Sequence, residues 1–83
     1  MHYVYIVECA DGTYYTGYTT EVERRIEEHN QQEGAKYTRG RTPVKLKYKE
    51  KLSDQSQALK RECAIKKLSR EKKEELISSG APD

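Results

Sequence analysis

Two β-rich runs, "HYVYIVEC" (residues 2–9) and "TYYTGY" (residues 13–18), stand on either side of "ADG". An Asp-Gly pair between strand-like runs is the signal of a two-residue hairpin turn, so the first two strands are expected to be antiparallel neighbours. Gly17 inside the second run marks either a bulge or a place where another group approaches the backbone. With 83 residues in all, there is room for one domain, residues 1–83, and one thin core. Charged residues (36%) outnumber hydrophobic ones (34%), yet the apolar positions come in periodic clusters, which argues for a folded chain rather than a disordered one.

A helix is expected after the hairpin. Thr20 and Glu23 have capping-box spacing, and Val22, Ile26 and His29 fall at i, i+4 and i+7 on one face. The helix should run to about Gln32 and stop at Gly34, after which "GAKYTRGRTP" reads as a basic loop closed by a proline. "VKLKYKEKL" begins with alternation that sets Val44, Leu46 and Tyr48 on one face and Lys45, Lys47 and Lys49 on the other, a half-buried strand at a sheet edge. Ser53 or Asp54 caps the next helix, with an apolar stripe of Ala58, Leu59, Ile65 and Leu68. A last helix, capped by Ser69 and ended at Gly80, can dock only through Leu76 and Ile77. The order is ββαβαα, an α+β fold with helices on a small three-stranded antiparallel sheet.

No basic leader precedes an apolar run and no stretch of 18 apolar residues occurs, so a soluble, cytoplasmic protein is expected; a monomer is expected as well. Cys9 and Cys63 are far apart and lack metal-ligand spacing, and both are expected to be buried reduced thiols. The net charge of +2 conceals a basic segment in which Lys36, Arg39, Arg41, Lys45, Lys47, Lys49 and Lys51 face only Glu50. Such a strip suits phosphates, or equally an edge strand guarded by lysines against aggregation.

Several residues are candidates for chemistry. Glu62 stands within the stripe formed by Ala58, Leu59 and Ile65, where a carboxylate calls for a cationic partner: an arginine in an internal pair, or a Mg²⁺ that keeps several waters. Arg25 and His29 share a side of the first helix. Arg25 suits phosphate charge neutralisation or a pair with Glu28, and His29 suits a site or a satisfied semi-buried imidazole. Five of the seven tyrosines lie in the first 18 residues, with Tyr3 and Tyr5 on one face of the first strand and Tyr15 and Gly17 on one face of the second. Packing accounts for most such phenols, but two strands and two helices can bring tyrosines, Arg25, His29 and Glu62 to one place.

"VYI" (4–6), "YTG" (15–17), Arg25, His29 and Glu62 within "ALKRECAIKKL" together resemble the GIY-YIG nuclease superfamily. "GAKYTRGRTPVKLKY" is similar to its small stand-alone bacterial branch, the YhbQ or YazA type. The resemblance covers nearly the whole chain and implies metal-dependent hydrolysis of nucleic-acid phosphodiesters, DNA above all, and a role in DNA repair. It implies that Tyr5 and Tyr15 position or deprotonate the attacking water, Arg25 stabilises transition-state charge, His29 holds a tyrosine hydroxyl or assists proton transfer, and Glu62 binds Mg²⁺ or Mn²⁺. Lys36, Arg39, Arg41, Lys45, Lys47 and Lys49 would meet the nucleic acid. Two features depart from related nucleases: no asparagine follows Asn30, and no separate DNA-binding module is expected, so that substrate recognition is expected from the domain itself or from a protein partner for targeting. A non-catalytic nucleic-acid-binding module built on the basic 36–51 segment is the alternative.

Overall fold

The computed structural model describes residues 1–31, 33 and 36–80. Strand β1 (His2–Glu8) is the centre of a three-stranded antiparallel sheet, flanked by β2 (Tyr14–Thr19) and β3 (Lys45–Leu52) in the order β2-β1-β3. Helix α1 (Val22–Asn30) follows β2, and α2 (Gln55–Lys66) and α3 (Arg70–Ser79) follow β3. The ββαβαα order and the α+β class stand, with one 3₁₀ turn, Lys36–Thr38, inside the basic loop. The expected helix end at Gln32 and stop at Gly34 lie outside the described residues. Among the described residues no helix is long and apolar enough to cross a membrane.

The hairpin differs from the expected two-residue turn. The Cys9 amide donates to the Thr13 carbonyl (2.8 Å) and the Gly12 amide to the Cys9 carbonyl (2.9 Å), leaving a three-residue loop with Gly12 at φ +84°. A left-handed glycine after a type I turn closes such loops without a steric penalty. Asp11 supplies further closure, accepting from the Thr13 amide (3.1 Å) and hydroxyl (2.6 Å).

The sheet buries both faces. On one, Val4 and Ile6 pack with Tyr48, Ala58 and Ile65 beneath α2 and α3, joined by Leu68, Leu76 and Ile77. On the other, Tyr5, Val7, Cys9 and Val44 pack with Tyr15, Leu46 and Ile26 of α1. The alternation expected along β3 is therefore broken. Ile6 pairs with Tyr48 but Val7 pairs with Leu46, so Lys47 is an extra residue in the register. A bulge of this kind switches the side on which following residues emerge. It sends Val44 and Leu46 to the α1 face and Tyr48 to the α2/α3 face. Lys45, Lys47 and Lys49 consequently do not form one basic face: Lys49 shares the α1 side with its partner Tyr5, Lys45 pairs with Glu8 on the opposite side, and Lys47 reaches Glu8 (3.8 Å) from the bulge.

Three local expectations need correction. The Thr20 capping box does not form, because β2 runs through Thr19 and the N-cap of α1 is Glu21; Thr19 instead takes the Glu21 amide at 3.1 Å. On α2 the sheet-facing line is Ala58, Glu62 and Ile65, while Leu59, one residue along and turned by about 100°, is exposed. Cys9 is buried but Cys63 is exposed, and both are free thiols. Asp54 caps α2 by accepting from the Gln57 amide, and Ser69 caps α3 by accepting from the Lys72 amide.

Candidate active site

The site begins with a cross-strand pair. Tyr5 of β1 lies opposite Gly17 of β2. A Cβ on Gly17 would overlap the Tyr5 hydroxyl and stand 2.6 Å from its Cζ. Gly17 is thus the close-approach glycine of the two sequence alternatives, and its bare backbone lets the Tyr5 phenol lie across β2 towards the sheet edge.

Under that phenol is His29. Because α1 packs Val22 and Ile26 onto the same sheet face, its i+7 position brings His29 inward, where it has no exposure at all. The Tyr5 hydroxyl and His29 Nε2 are 2.8 Å apart, and His29 Nδ1 is 2.7 Å from the Thr38 hydroxyl. Both ring nitrogens are therefore satisfied by neutral partners, and burial, together with the charge of Arg25, holds the imidazole pKa below its ordinary value. The Tyr5 phenol shows the same effect with opposite sign for an acid: burial pushes it up to about 12. The Arg25 guanidinium opposes that rise, whereas Tyr15 and Glu62 add to it.

Tyr15, Arg25 and Glu62 thus all act electrostatically on one buried phenol. The Tyr15 ring lies 5.4 Å from the imidazole and 6.5 Å from the Tyr5 ring, and unlike Tyr5 it is only partly buried. Arg25 is half-buried and pairs with Glu28 through one nitrogen (3.1 Å). Glu62 arrives from α2, the helix on the far side of the sheet, and pairs with Lys66 one turn on (3.3 Å). Its side chain is 18% exposed, so the carboxylate is largely withdrawn from water while its partner is not. The partner is neither Arg25 nor another arginine; the two charged residues of the constellation each pair with a neighbour on their own helix.

Three contributors left no mark in the sequence pattern. Thr38 holds His29, Asn30 ties the end of α1 to the residue before β3 by accepting from the Val44 amide (2.6 Å), and Tyr37 stacks on Tyr15 with ring centroids 5.8 Å apart. All sit in or beside the connection between α1 and β3, where neither helical nor strand periodicity operates. Of the basic candidates, Arg41 is fixed here, pairing with Asp11 of the hairpin (2.6 Å) and lying over the Tyr37 ring; Lys36 and Arg39 are exposed on the same loop.

A glycine-backed tyrosine, a second tyrosine, an arginine and histidine on the next helix and a glutamate on a later one define the catalytic domain of a nuclease class. The family model of the GIY-YIG catalytic domain matches residues 1–75, and the chain belongs to that family. Its relatives are UPF0213 proteins. The one from Halobacterium salinarum is 62% identical over 93% of this chain and all of its own length, and one from Staphylococcus saprophyticus is 56% identical over 95% of this chain and 96% of its own. The solution NMR structure of a UPF0213 protein from Bacillus halodurans is 52% identical, covers 98% of this chain and 87% of that one, and superposes with a TM-score of 0.63. The stand-alone branch is therefore archaeal as well as bacterial.

GIY-YIG nucleases generally depend on a divalent metal. Among the described residues no group of three or more His, Cys, Asp or Glu side chains forms a cage. Among the described residues, the carboxylate whose charge acts on the Tyr5 phenol is Glu62, largely withdrawn from water. That carboxylate fits a hard cation such as Mg²⁺, which commonly takes one or two carboxylates, keeps several waters and completes its shell with substrate phosphate.

Proposed function

We propose that the protein is a metal-dependent endonuclease that hydrolyses phosphodiester bonds of nucleic acid, DNA first, with Tyr5, Tyr15, Arg25, His29 and Glu62 as its working residues. The observation that carries this reading is the meeting of groups from three elements at the Tyr5 phenol: the His29 imidazole by a hydrogen bond of 2.8 Å, the Tyr15 ring with its centroid 6.5 Å away, and Arg25 and Glu62 through their charges.

Exposure divides the labour. Tyr5 has no solvent access, so it orients its neighbours rather than meeting the substrate. Tyr15 is half-exposed above it and, as a phenolate, the form that nearby positive charge favours, is the group that would take the proton from the attacking water. The new bond joins water oxygen to phosphorus, the ester bond to the departing strand breaks, and Arg25 offsets the negative charge that builds on the phosphoryl oxygens. His29, held neutral by burial, fixes the Tyr5 hydroxyl beneath Tyr15. A cation bound at Glu62 would supply Lewis acidity at the phosphate and the leaving oxygen.

The test is cleavage of a panel of single-stranded, duplex, nicked and branched DNA and structured RNA by wild type and Glu62→Ala, with Mn²⁺ and with EDTA. Cutting that disappears with both the mutation and the chelator is expected. The pairs Arg25–Glu28 and Glu62–Lys66 favour a second reading, in which the charged residues are already satisfied and the chain only binds nucleic acid, through Lys36, Arg39 and Arg41. Salt-sensitive retention of a panel member without any cutting by wild type would select it.

A further inference from the structure

Tyr37 takes no part in the proposed hydrolysis, yet the fold presents it beside the site. It is one of three exposed large hydrophobic residues among those described, at 42%. It stacks on Tyr15 at an interplanar angle of 23°, and the Arg41 guanidinium carbon is 4.5 Å from its ring centroid.

The pair is anchored from behind. Arg41 is bound to Asp11, Asp11 is bound twice to Thr13, and the Ala10 amide donates to the Arg41 carbonyl (2.7 Å). The Arg41 amide in turn donates to the Thr38 carbonyl (3.0 Å), and Thr38 holds His29. Hairpin tip, loop and buried imidazole are thus one connected frame, and the ring and guanidinium are ordered before any ligand arrives, which lowers the entropic cost of binding. A ring needed only to cover Tyr15 would gain more by being buried; this one remains open to water together with a planar cation, itself 40% exposed.

Planar aromatic and guanidinium surfaces are what unpaired bases stack on, and every base offers such a face once its neighbours in a duplex are gone. Lys36 and Arg39, exposed on the same loop, are available to the flanking phosphates. We propose that Tyr37 and Arg41 form a base-stacking subsite that holds an unpaired nucleobase next to the phosphodiester handled at Tyr15. The placement beside a scissile bond rests on the nuclease reading; the stacking subsite itself does not.

The experiment measures binding of the full-length chain, in EDTA so that nothing is cut, to a single-stranded DNA carrying 2-aminopurine and to the duplex of the same sequence. Tyr37→Ala is expected to weaken single-strand binding about tenfold and to abolish the fluorescence quenching that stacking causes. Duplex affinity should change less than about twofold and the salt slope not at all, since no phosphate contact is lost. Tyr37→Leu, which keeps apolar cover over Tyr15 without a π-face, should bind as Tyr37→Ala does, whereas Tyr37→Phe should bind as wild type. Unchanged single-strand affinity in Tyr37→Leu, an equal loss on duplex, or no binding by wild type would overturn the subsite. A chain that cuts DNA but binds single strands independently of Tyr37 would lose the subsite and keep the nuclease. One that cuts nothing and still shows Tyr37-dependent quenching would do the reverse.

Discussion

The two faces of the sheet are built from different chemistry. Beneath α2 and α3 the buried side chains are mainly Val4, Ile6, Ala58 and Ile65, which can do little except exclude water. Beneath α1, Val7, Cys9 and Val44 share the buried volume with Tyr5, His29 and Thr38, whose polar atoms must be matched one by one. A chain this small has little core to spare, so placing a phenol and an imidazole inside it forgoes apolar packing in favour of a fixed arrangement of proton donors and acceptors. Glu62 links the two faces: the apolar side carries its helix, and its charge acts on the other side.

That contrast can be broken most severely from the apolar side. Ile65→Ala, at a position with no exposure, should cost about 2–5 kcal/mol in urea unfolding, a large part of a small domain's total stability. A loss under about 1 kcal/mol would mean that this face is not the principal core.

On the polar side the effect should depend on pH. The unfolded chain releases the Tyr5 proton near pH 10.0, whereas the folded chain keeps it to about 12. Between those values the folded state binds more protons, so this contribution is complete below pH 10.0, falls as pH rises, and is lost above about 12. It amounts to roughly 2–3 kcal/mol, and comparison of alkaline unfolding curves of wild type and Tyr5→Phe isolates it. Parallel curves would show that the phenol is not buried as described.

Gly17→Ala tests the junction between the faces. The new methyl group meets the Tyr5 ring, for a destabilisation of about 1–3 kcal/mol and a larger proportional loss of cleavage, because the phenol that organises the site must move. The smallest change should follow Leu59→Ser, within about 0.5 kcal/mol in thermal unfolding, since Leu59 lies outside both clusters. A substantial loss there would restore Leu59 to the helix stripe.

The sequence made some of this legible and hid the rest for physical reasons. Strand pairing and the three helices could be read because β-branched and aromatic runs, Asp54 and Ser69 caps and i, i+4 spacing are local signals. The inward turn of His29 and Glu62 could be read from the apolar neighbours on their helices. The bulge at Lys47 could not, because an extra residue leaves the written alternation intact while reversing the faces on either side of it. Thr38, Asn30 and Tyr37 were equally hidden, as their partners lie in other segments and their own loop has no period. The basic segment read as one strip therefore divides into loop cations near Tyr15 and strand lysines on different sides.

The central claim is that the α1 face performs chemistry and the α2/α3 face supports it. Arg25→Ala tests it most directly, because the Arg25–Glu28 ion pair is about a third exposed and contributes little to stability, while the same guanidinium acts on the Tyr5 phenol. Single-turnover cleavage and thermal unfolding should be measured on the same preparation, using the best-cut member of the nucleic-acid panel with Mn²⁺. The expected result is a rate loss of about a hundredfold or more with a melting temperature close to wild type. Cleavage at the wild-type rate by a folded Arg25→Ala protein would contradict the assignment and leave the constellation on this face as packing.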